Sequence, residues 1–219
     1  NERDGSAIHL DNCGIFCGNT KFIDCVSKSG GGGAIYVNNS FEITNNATFV
    51  NTIFLRCIAQ YGGAVFLFAR SNLFNISFSN CTFESNKAIQ IQPPTNGNKN
   101  LYGGQALFVI SDGINVINSK FLNNSGKTGA IKIHTFSGQR SKSIQLEKIE
   151  SAFNLIGCSF EQNKNSENSI YFIDKESKSR FEIVDCSFKG NLHKESHYIG
   201  GEMKNKQNIH MKSCIFEND

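Results

Sequence analysis

Residues 62–86 read GGAVFLFARSNLFNISFSNCTFESN, and this stretch contains both of the motifs that predict the fold. The first motif is a glycine pair that runs into a short alternating segment, here Gly62 to Val65. The second is a phenylalanine three residues ahead of an asparagine, here Phe83 and Asn86. Both motifs recur in alternation at roughly 30 residues, which is typical of a solenoid of stacked turns.

The two motifs can be followed along the whole chain. Further glycine copies, the last two less regular, are Gly32 to Ile35, Thr128 to Ile131, Gly5 to Ile8 and Gly200 to Met203. Further phenylalanine copies begin at Phe22, Phe54, Phe121, Phe160, Phe188 and Phe216. The repetition predicts a single domain over residues 1–219, and we expect it to be a fragment of a longer array because the last repeat is incomplete.

Within one turn, the segment after the glycines alternates with a period of two, as expected of a half-buried strand. Val65 and Leu67 represent its interior face, because this column is apolar in the regular copies. The phenylalanines form a second interior column, and burial of each should stabilise the fold by roughly 1.5–3 kcal/mol. Segments 41–44, 114–117 and 181–184 supply a third strand. The predicted fold is therefore an all-β parallel β-helix of about seven turns with three short strands each.

A column of small side chains precedes the phenylalanines by two residues and shares their face. Its members are Thr20, Thr52, Cys81, Ser119, Cys158, Cys186 and Cys214. Because cysteine exchanges with threonine and serine there, the position selects for size, and its cysteines are predicted to be buried free thiols. Cys13, Cys17 and Cys25 lie outside this column, and for them both a disulfide bridge and free thiols are open.

The asparagine that closes the second motif, such as Asn86, has the wrong parity for the interior of a straight strand. The chain is therefore predicted to bend at this residue, because asparagine adopts left-handed backbone conformations more readily than most residues. In stacked turns these amides would lie one above another, and each could hydrogen-bond the next. Cys25 and Cys57 replace the asparagine in the first two copies, and Asp219 replaces it in the last.

Two inserts interrupt the repeat, at residues 90–100 and 134–152. The first contains Pro93, Pro94 and several asparagines, which is typical of a surface loop. The second is charged and irregular, with a short helical piece predicted at residues 143–149. Loops that project from a solenoid are where related proteins usually differ in function.

Composition and motifs exclude several classes of function. The net charge is +3 at pH 7 and the charges are scattered, so nucleic acid is not a predicted partner. No apolar run approaches the roughly 18 residues that span a bilayer, so no transmembrane segment is predicted in this fragment. Gly126-Lys127-Thr128 lacks the earlier glycine of a phosphate-binding loop. No cofactor or metal is predicted, because Cys13 and Cys17 lack a second ligand pair.

The outer face of the glycine strand contains the candidate ligand-binding residues. Tyr36, Phe66 and Phe108 occupy equivalent outward positions on successive turns, and Phe68 follows two residues after Phe66. Aligned exposed aromatic rings would form a platform for a sugar or a partner protein. The alternative is that an insert, most simply residues 90–100, covers them. Sequons that permit N-glycosylation occur at Asn38, Asn46, Asn75, Asn80 and Asn123.

The alternating Gly-Gly-Ala-Ile and Phe-x-x-Asn motifs resemble the repeats of polymorphic outer membrane proteins. These are bacterial surface adhesins whose passenger regions look like right-handed parallel β-helices, and related repeats occur in surface proteins of some parasitic protists. The resemblance covers Gly5 to Asp219, with departures at Gly103-Gly104-Gln105-Ala106 and at residues 168–170. It implies an extracellular, cell-surface role in adhesion or display, with a host or neighbouring cell-surface protein or glycan as the partner. It supplies no catalytic residues.

Two other functions compete with adhesion. One is a polysaccharide lyase or glycosidase of the parallel β-helix type, which needs clustered carboxylates. Glu84 and Glu161 share a column but are separated by Leu122, so the chain is predicted not to be an enzyme. A second acidic group, close in sequence only, consists of Asp174, Glu182 and Asp185. The other competing function is a purely structural stalk.

Overall fold

A computed structural model of the chain describes residues 4–40, 44–69, 74–89, 103–135, 151–166, 168–174, 179–193, 197–203 and 209–217. These residues form three parallel sheets of seven strands each, which we name sheets A, B and C. Each turn of the chain contributes one strand to sheet A, then one to sheet B and one to sheet C. The fold is a right-handed parallel β-helix, as the sequence motifs and the resemblance predict.

The strands of each sheet follow one another in chain order. Sheet A consists of Ile8–Asp11, Ile35–Asn39, Val65–Ala69, Leu107–Ser111, Ile131–Thr135, Ile170–Asp174 and Ile199–Met203. Sheet B consists of Ile15–Gly18, Asn46–Val50, Asn75–Ser79, Gly113–Ile117, Ser151–Ile156, Ser179–Val184 and Ile209–Lys212. Sheet C consists of Lys21–Ile23, Ile53–Leu55, Thr82–Glu84, Lys120–Leu122, Ser159–Glu161, Ser187–Lys189 and Ile215–Glu217.

A fourth, minor strand follows sheet C in several turns. Ile58–Ala59 pairs with Lys87–Ala88, and Lys164–Ser166 pairs with Leu192–His193. Isolated bridges at Ser125 connect these two pairs along the helix axis. Sequence analysis did not predict this strand, because segments of two or three residues are too short to show a period of two.

The predicted phenylalanine column lies in the interior of sheet C. Its consecutive ring centroids are 4.7–5.2 Å apart, and neighbouring rings deviate from parallel by at most 11°. Its members are Phe22, Phe54, Phe83, Phe121, Phe160, Phe188 and Phe216. The spacing follows from the distance of about 4.8 Å between hydrogen-bonded strands, which places equivalent rings face to face with a small offset.

A buried ladder of asparagine side chains runs beside this column. We name it the amide ladder, and its members are Asn86, Asn124, Asn163 and Asn191, of which none is more than 8 % exposed. Asn124 shows the pattern. Its Oδ1 accepts from the backbone N–H and from Nδ2 of Asn86 on the preceding turn, at 2.9 and 3.0 Å. Its Nδ2 donates to Oδ1 of Asn163 and to the Phe83 carbonyl. The predicted hydrogen bonds between stacked amides are confirmed.

The bend after sheet C lies one residue earlier than predicted. The residue before each ladder asparagine has a left-handed backbone, for example Ser85, Asn123 and Gln162 with φ between 51° and 55°. The prediction placed the bend on the asparagine itself. That placement is wrong because the left-handed residue turns the following side chain inward, where the asparagine amide is needed to pair with its neighbours.

A second left-handed column forms the corner between sheets B and C. Its φ values lie between 48° and 61°, and its members are Asn19, Asn51, Asn80, Asn118, Gly157, Asp185 and Ser213. Asparagine, glycine and aspartate dominate because they adopt this conformation at the least steric cost. These residues directly precede the small-residue column, and their recurrence is a sequence signal that would have located the corner.

Two predicted segments have different bounds in the structure. The sheet B strand of the second turn is Asn46–Val50 rather than residues 41–44, of which only Thr44 lies among the described residues. Residues 134, 135, 151 and 152 belong to strands, so the second insert is shorter than the predicted 134–152. The first insert, residues 90–100, and the predicted helical piece at 143–149 lie outside the described residues.

The glycine pair of the last turn does not occupy the position of the others. Gly200 pairs with Tyr171 and Gly201 with Phe172, so both glycines lie inside the strand rather than ahead of it. In the regular copies the glycines precede the strand, as Gly62 and Gly63 do before Val65. Gly62 has φ of +56°, and an added Cβ at Gly63 would lie 2.1 Å from the Gln105 carbonyl oxygen, so both positions require glycine.

Candidate functional site

The predicted aromatic platform is in register, but its central rings are not exposed. Tyr36, Phe66 and Phe108 pair directly with one another on three consecutive strands of sheet A. Phe66 is only 4 % exposed and Phe108 is fully buried, whereas Tyr36 and Phe68 are half-buried. The interpretation of Phe66 and Phe108 as an exposed platform is therefore wrong, and the alternative that these rings are covered is confirmed; residues 90–100, the predicted cover, lie outside the described residues. A period of two identifies the outer face of a sheet, but it carries no information on whether that face is covered.

The outer face of sheet A forms a second, smaller hydrophobic cluster. The Tyr61 ring packs edge-on against Phe66, with centroids 5.0 Å apart, and it also contacts Phe108. Lys132 is 2 % exposed, and its Nζ lies 4.9 Å from the Phe108 ring centroid. Burial, followed by the nearby carboxylates of Asp4 and Asp11, raises the pKa of Tyr36 to about 12. With these contacts, the side chains of the cluster are packed as in a protein interior.

The small-residue column donates hydrogen bonds as well as filling space. Thr52 Oγ1 lies 3.1 Å from the Cys17 carbonyl oxygen, and Cys158 Sγ lies 3.3 Å from the Val116 carbonyl oxygen, each on the preceding turn. Cys186 makes the same contact with Leu155. The position therefore requires a side chain that is both small and a hydrogen-bond donor, and threonine, serine and cysteine meet both conditions. The predicted selection for size alone is incomplete.

All eight cysteines are unpaired. Cys81, Cys158 and Cys186 are buried free thiols, as predicted, whereas Cys214 is half-buried in the last described turn. Cys13, Cys17 and Cys25, for which a bridge was an alternative, are also free. Burial raises the pKa of Cys17 and of Cys81, and it raises that of Cys57 to about 12.

These differences in burial predict graded thiol reactivity. Because only the thiolate reacts, a raised pKa and burial both slow modification by a disulfide reagent at pH 8. We expect Cys13 to react fastest, and Cys25 and Cys214 more slowly. The five buried thiols should react only after unfolding in denaturant. Stopped-flow absorbance with an aromatic disulfide reagent, followed by peptide mapping, measures this order. Equal native-state rates for Cys13 and Cys81 would contradict it.

Within the described strands of sheet C, no two carboxylates are neighbours in the outer column. Leu122 lies between Glu84 and Glu161 in the outer column of sheet C, as predicted. The column continues with Lys189, whose Nζ lies 3.5 Å from the carboxylate of Glu217. In the part of the chain that the structure describes, no three His, Cys, Asp or Glu side chains form a group that could hold a metal ion.

The second acidic group also diverges in space. Asp174 is 1 % exposed and faces inward, where it accepts a hydrogen bond from Thr135. Glu182 lies on the outer face of sheet B and pairs with Arg180. Asp185 is an exposed corner residue. These carboxylates are close in sequence but lie on different surfaces, because successive side chains of a strand point to opposite sides and the strand then ends at a bend.

A second candidate surface, which no sequence motif indicates, is the outer face of sheet B, whose side chains are exposed or half-buried on successive described turns. One of its columns contains Phe16, Thr48, Ser77, Asn115, Asn154, Glu182 and His210. Beside it runs a second column of Gly18, Val50, Ser79, Ile117, Ile156, Val184 and Lys212. The surface was missed because small polar and aliphatic residues form no motif. The period of two in the third strand would have identified it.

Two apolar side chains of this surface are exposed, Phe16 on the first strand and Ile117 on the fourth. Phe16 is 73 % exposed, the highest value among the large apolar side chains of the described residues, and Ile117 is 36 % exposed. Polar side chains bond along the column: Asn154 Nδ2 donates to Asn115 Oδ1 at 2.7 Å, and Ser77 Oγ lies 3.4 Å from Thr48 Oγ1. Over the turns from Thr48 to Asn154, the surface is therefore an array of hydroxyl and amide groups next to a mainly aliphatic row.

Most sequon asparagines reach solvent. Asn46, Asn75, Asn80 and Asn123 are exposed, whereas Asn38 is half-buried and donates to Asp11 Oδ1 at 3.1 Å. Asn46 and Asn75 are paired neighbours on sheet B, on the same outer face as Thr48 and Ser77. Exposure is what N-glycosylation requires of a sequon, and its use stays a prediction.

Among the described residues there is no helix that is long and apolar enough to cross a membrane. Comparison of the chain with protein-family models, with curated proteins and with solved structures finds no match. The resemblance to polymorphic outer membrane proteins therefore rests on the two repeated motifs.

Proposed function

We propose that this chain is a non-enzymatic module of the cell surface or extracellular space that adheres to, or is displayed toward, a host or neighbouring cell. The observation that carries the proposal is which faces of the solenoid a ligand can reach. The interior is filled by stacked side chains such as Phe83 and Phe121, so a ligand meets the outer faces of the sheets. Of these faces, that of sheet B has exposed or half-buried side chains on successive described turns, and the strands of its first five turns are uncharged.

The arrangement of the acidic groups supports binding rather than catalysis. A retaining glycosidase needs carboxyl groups about 5 Å apart, and an inverting one needs them roughly 6.5–9.5 Å apart with room for water. Glu84 and Glu161 are two strands apart, roughly 9.6 Å at the usual strand spacing, but Leu122 occupies the position between them where an inverting enzyme would hold its water, and Asp174 is buried. A protein partner or a glycan held by many weak contacts on a repeating surface requires no such pair.

The test is retention of the purified, folded chain on cells and matrix. Fluorescently labelled chain is added to a panel of cultured cells, matrix proteins and immobilised polysaccharides, and bound label is measured against concentration. We expect saturable retention on at least one member, with the length of the polysaccharides unchanged on gel filtration. Shortened polysaccharides would overturn the proposal in favour of a lyase or glycosidase. Folded chain that is retained nowhere would overturn it in favour of a stalk.

A further inference from the structure

We infer that the outer face of sheet B binds a neutral, linear polysaccharide that runs along the helix axis. The inference rests on the proposed adhesive function and names the chemical class of its partner. Three observations on this face lead to it: a periodic row of polar groups that ends at an exposed aromatic ring, a neighbouring row of partly exposed aliphatic side chains, and the absence of charge over successive described turns.

The polar row presents hydrogen-bonding groups at a fixed interval. Thr48, Ser77, Asn115 and Asn154 follow one another on adjacent strands, so equivalent groups recur at about 4.8 Å. Each hydroxyl or amide can both donate and accept. A linear polysaccharide offers hydroxyl groups at a similarly regular interval, so one row can bond a chain of sugars repeatedly without any deep pocket.

The aliphatic side chains beside the polar row can pack against the C–H face of a sugar ring. Val50, Ile117 and Ile156 lie beside the polar row, with Ser79 between the first two; Ile117 is 36 % exposed and the other two are half-buried. Phe16 stands at the end of the polar row with 73 % of its surface exposed. A ring with one apolar face in solvent provides a stacking platform, and exposed apolar surface in a row is typical of a binding site.

Charge selects a neutral polymer over an acidic one. In the described strands Asn46–Val50, Asn75–Ser79, Gly113–Ile117 and Ser151–Ile156, every residue is uncharged. Charges on this face begin only with Arg180 and Glu182 of the next turn. An acidic polysaccharide would require lysine or arginine at regular intervals to offset its carboxylates.

The other two faces do not meet these conditions. The outer face of sheet A is buried at Phe66, Phe108 and Lys132. The outer face of sheet C carries charges of both signs on successive turns, at Glu84, Lys120, Glu161 and Lys189. The neutral, open and periodic surface is that of sheet B.

Isothermal titration calorimetry with hexasaccharides tests the inference. The chain is produced without glycans, because glycans on Asn46 or Asn75 would lie on the same face. Cellohexaose and chitohexaose are the neutral probes, and hexagalacturonate is the acidic probe. We expect binding of at least one neutral probe and much weaker binding of the acidic one. Phe16→Ala and Asn115→Ala should each weaken binding roughly fivefold to tenfold, and Lys120→Ala on sheet C should leave it unchanged.

The outcomes separate this inference from the proposed function. Circular dichroism first establishes that each variant is folded, which the exposure of Phe16 and Asn115 favours. Absence of binding to both neutral probes overturns the inference, as does binding that neither sheet B variant weakens or a preference for hexagalacturonate. If the chain is nevertheless retained on cells, the adhesive function stands with a different partner. If it is retained on no cell or matrix surface either, both fail.

Discussion

Replacement of Asn124 by leucine is expected to lower the free energy of unfolding by roughly 3–5 kcal/mol. The side chain is fully buried and takes part in four hydrogen bonds within the amide ladder. Leucine has a similar volume but neither donates nor accepts. The backbone N–H of Asn86 would then lose its acceptor in the interior, and an unpaired buried donor is the costliest part of the change.

The variant Asn124→Asp should show the same defect with a dependence on pH. One carboxylate oxygen can still accept from Asn86, but the other would face the Asn163 amide oxygen and the Phe83 carbonyl, which both accept in the native ladder. Burial and these acceptors raise the pKa of the introduced carboxyl in the folded state above its unfolded value of about 3.9. The protonated form is therefore favoured by folding, and the loss of stability relative to the native chain should increase as the pH rises above about 4.

Urea unfolding followed by circular dichroism at pH 4 and pH 7 measures both variants. The matched control is Asn123→Gly, because Asn123 is the exposed neighbour with φ of 53°, where glycine is tolerated. It should change the free energy of unfolding by less than about 0.5 kcal/mol. Equal losses for Asn124→Leu and the control would show that the ladder does not stabilise the fold.

The second large effect is expected for Phe121→Ala, which should cost about 3–5 kcal/mol. Phe121 is fully buried, and its ring stacks between those of Phe83 at 4.7 Å and Phe160 at 5.0 Å. Truncation removes apolar surface from the core and both ring contacts. The sheets on either side are fixed by backbone hydrogen bonds, so the cavity closes only in part.

Phe216→Ala is the internal comparison for this prediction. Phe216 belongs to the same column but is 43 % exposed, and within the column it stacks on Phe188 alone, at 4.8 Å. Its truncation should cost less than half as much as that of Phe121. Thermal and urea unfolding of the two variants side by side decide the point. A Phe216 variant as unstable as the Phe121 variant would mean that position in the column, and hence burial, does not set the contribution of each ring.

The interior of this fold was largely predictable from sequence, because equivalent residues recur on every turn. The phenylalanine column, the register of Tyr36 with Phe66, and the stacked amides all follow from counting residues between motifs. The position of the bend did not follow. Asn86 was assigned the left-handed backbone because asparagine favours it, but buried amide pairing placed the bend on Ser85 instead.

The outer faces were the part that the sequence could not resolve. Phe66 and Phe108 alternate as surface residues should, yet contacts from Tyr61 and Lys132 enclose them. Lys132 is the neighbour of Phe108 on the next strand, and Tyr61 precedes the strand of Phe66. A period of two does not show whether these side chains lie over the rings. The converse error concerned sheet B, where Asn115 and Ile117 looked unremarkable in sequence although they lie on the open surface.

The amide ladder gives the turns that it joins the same contact on both sides. Asn86, Asn124 and Asn163 each accept with the side-chain oxygen from the turn before and donate N–H to the turn after, and Cys57 begins the series by donating its backbone N–H to Asn86. The junctions between these turns are therefore chemically equivalent. Duplication or deletion of one complete repeat within this region would recreate the same hydrogen bonds at the new junction. Such a chain can therefore change length during evolution in steps of one turn.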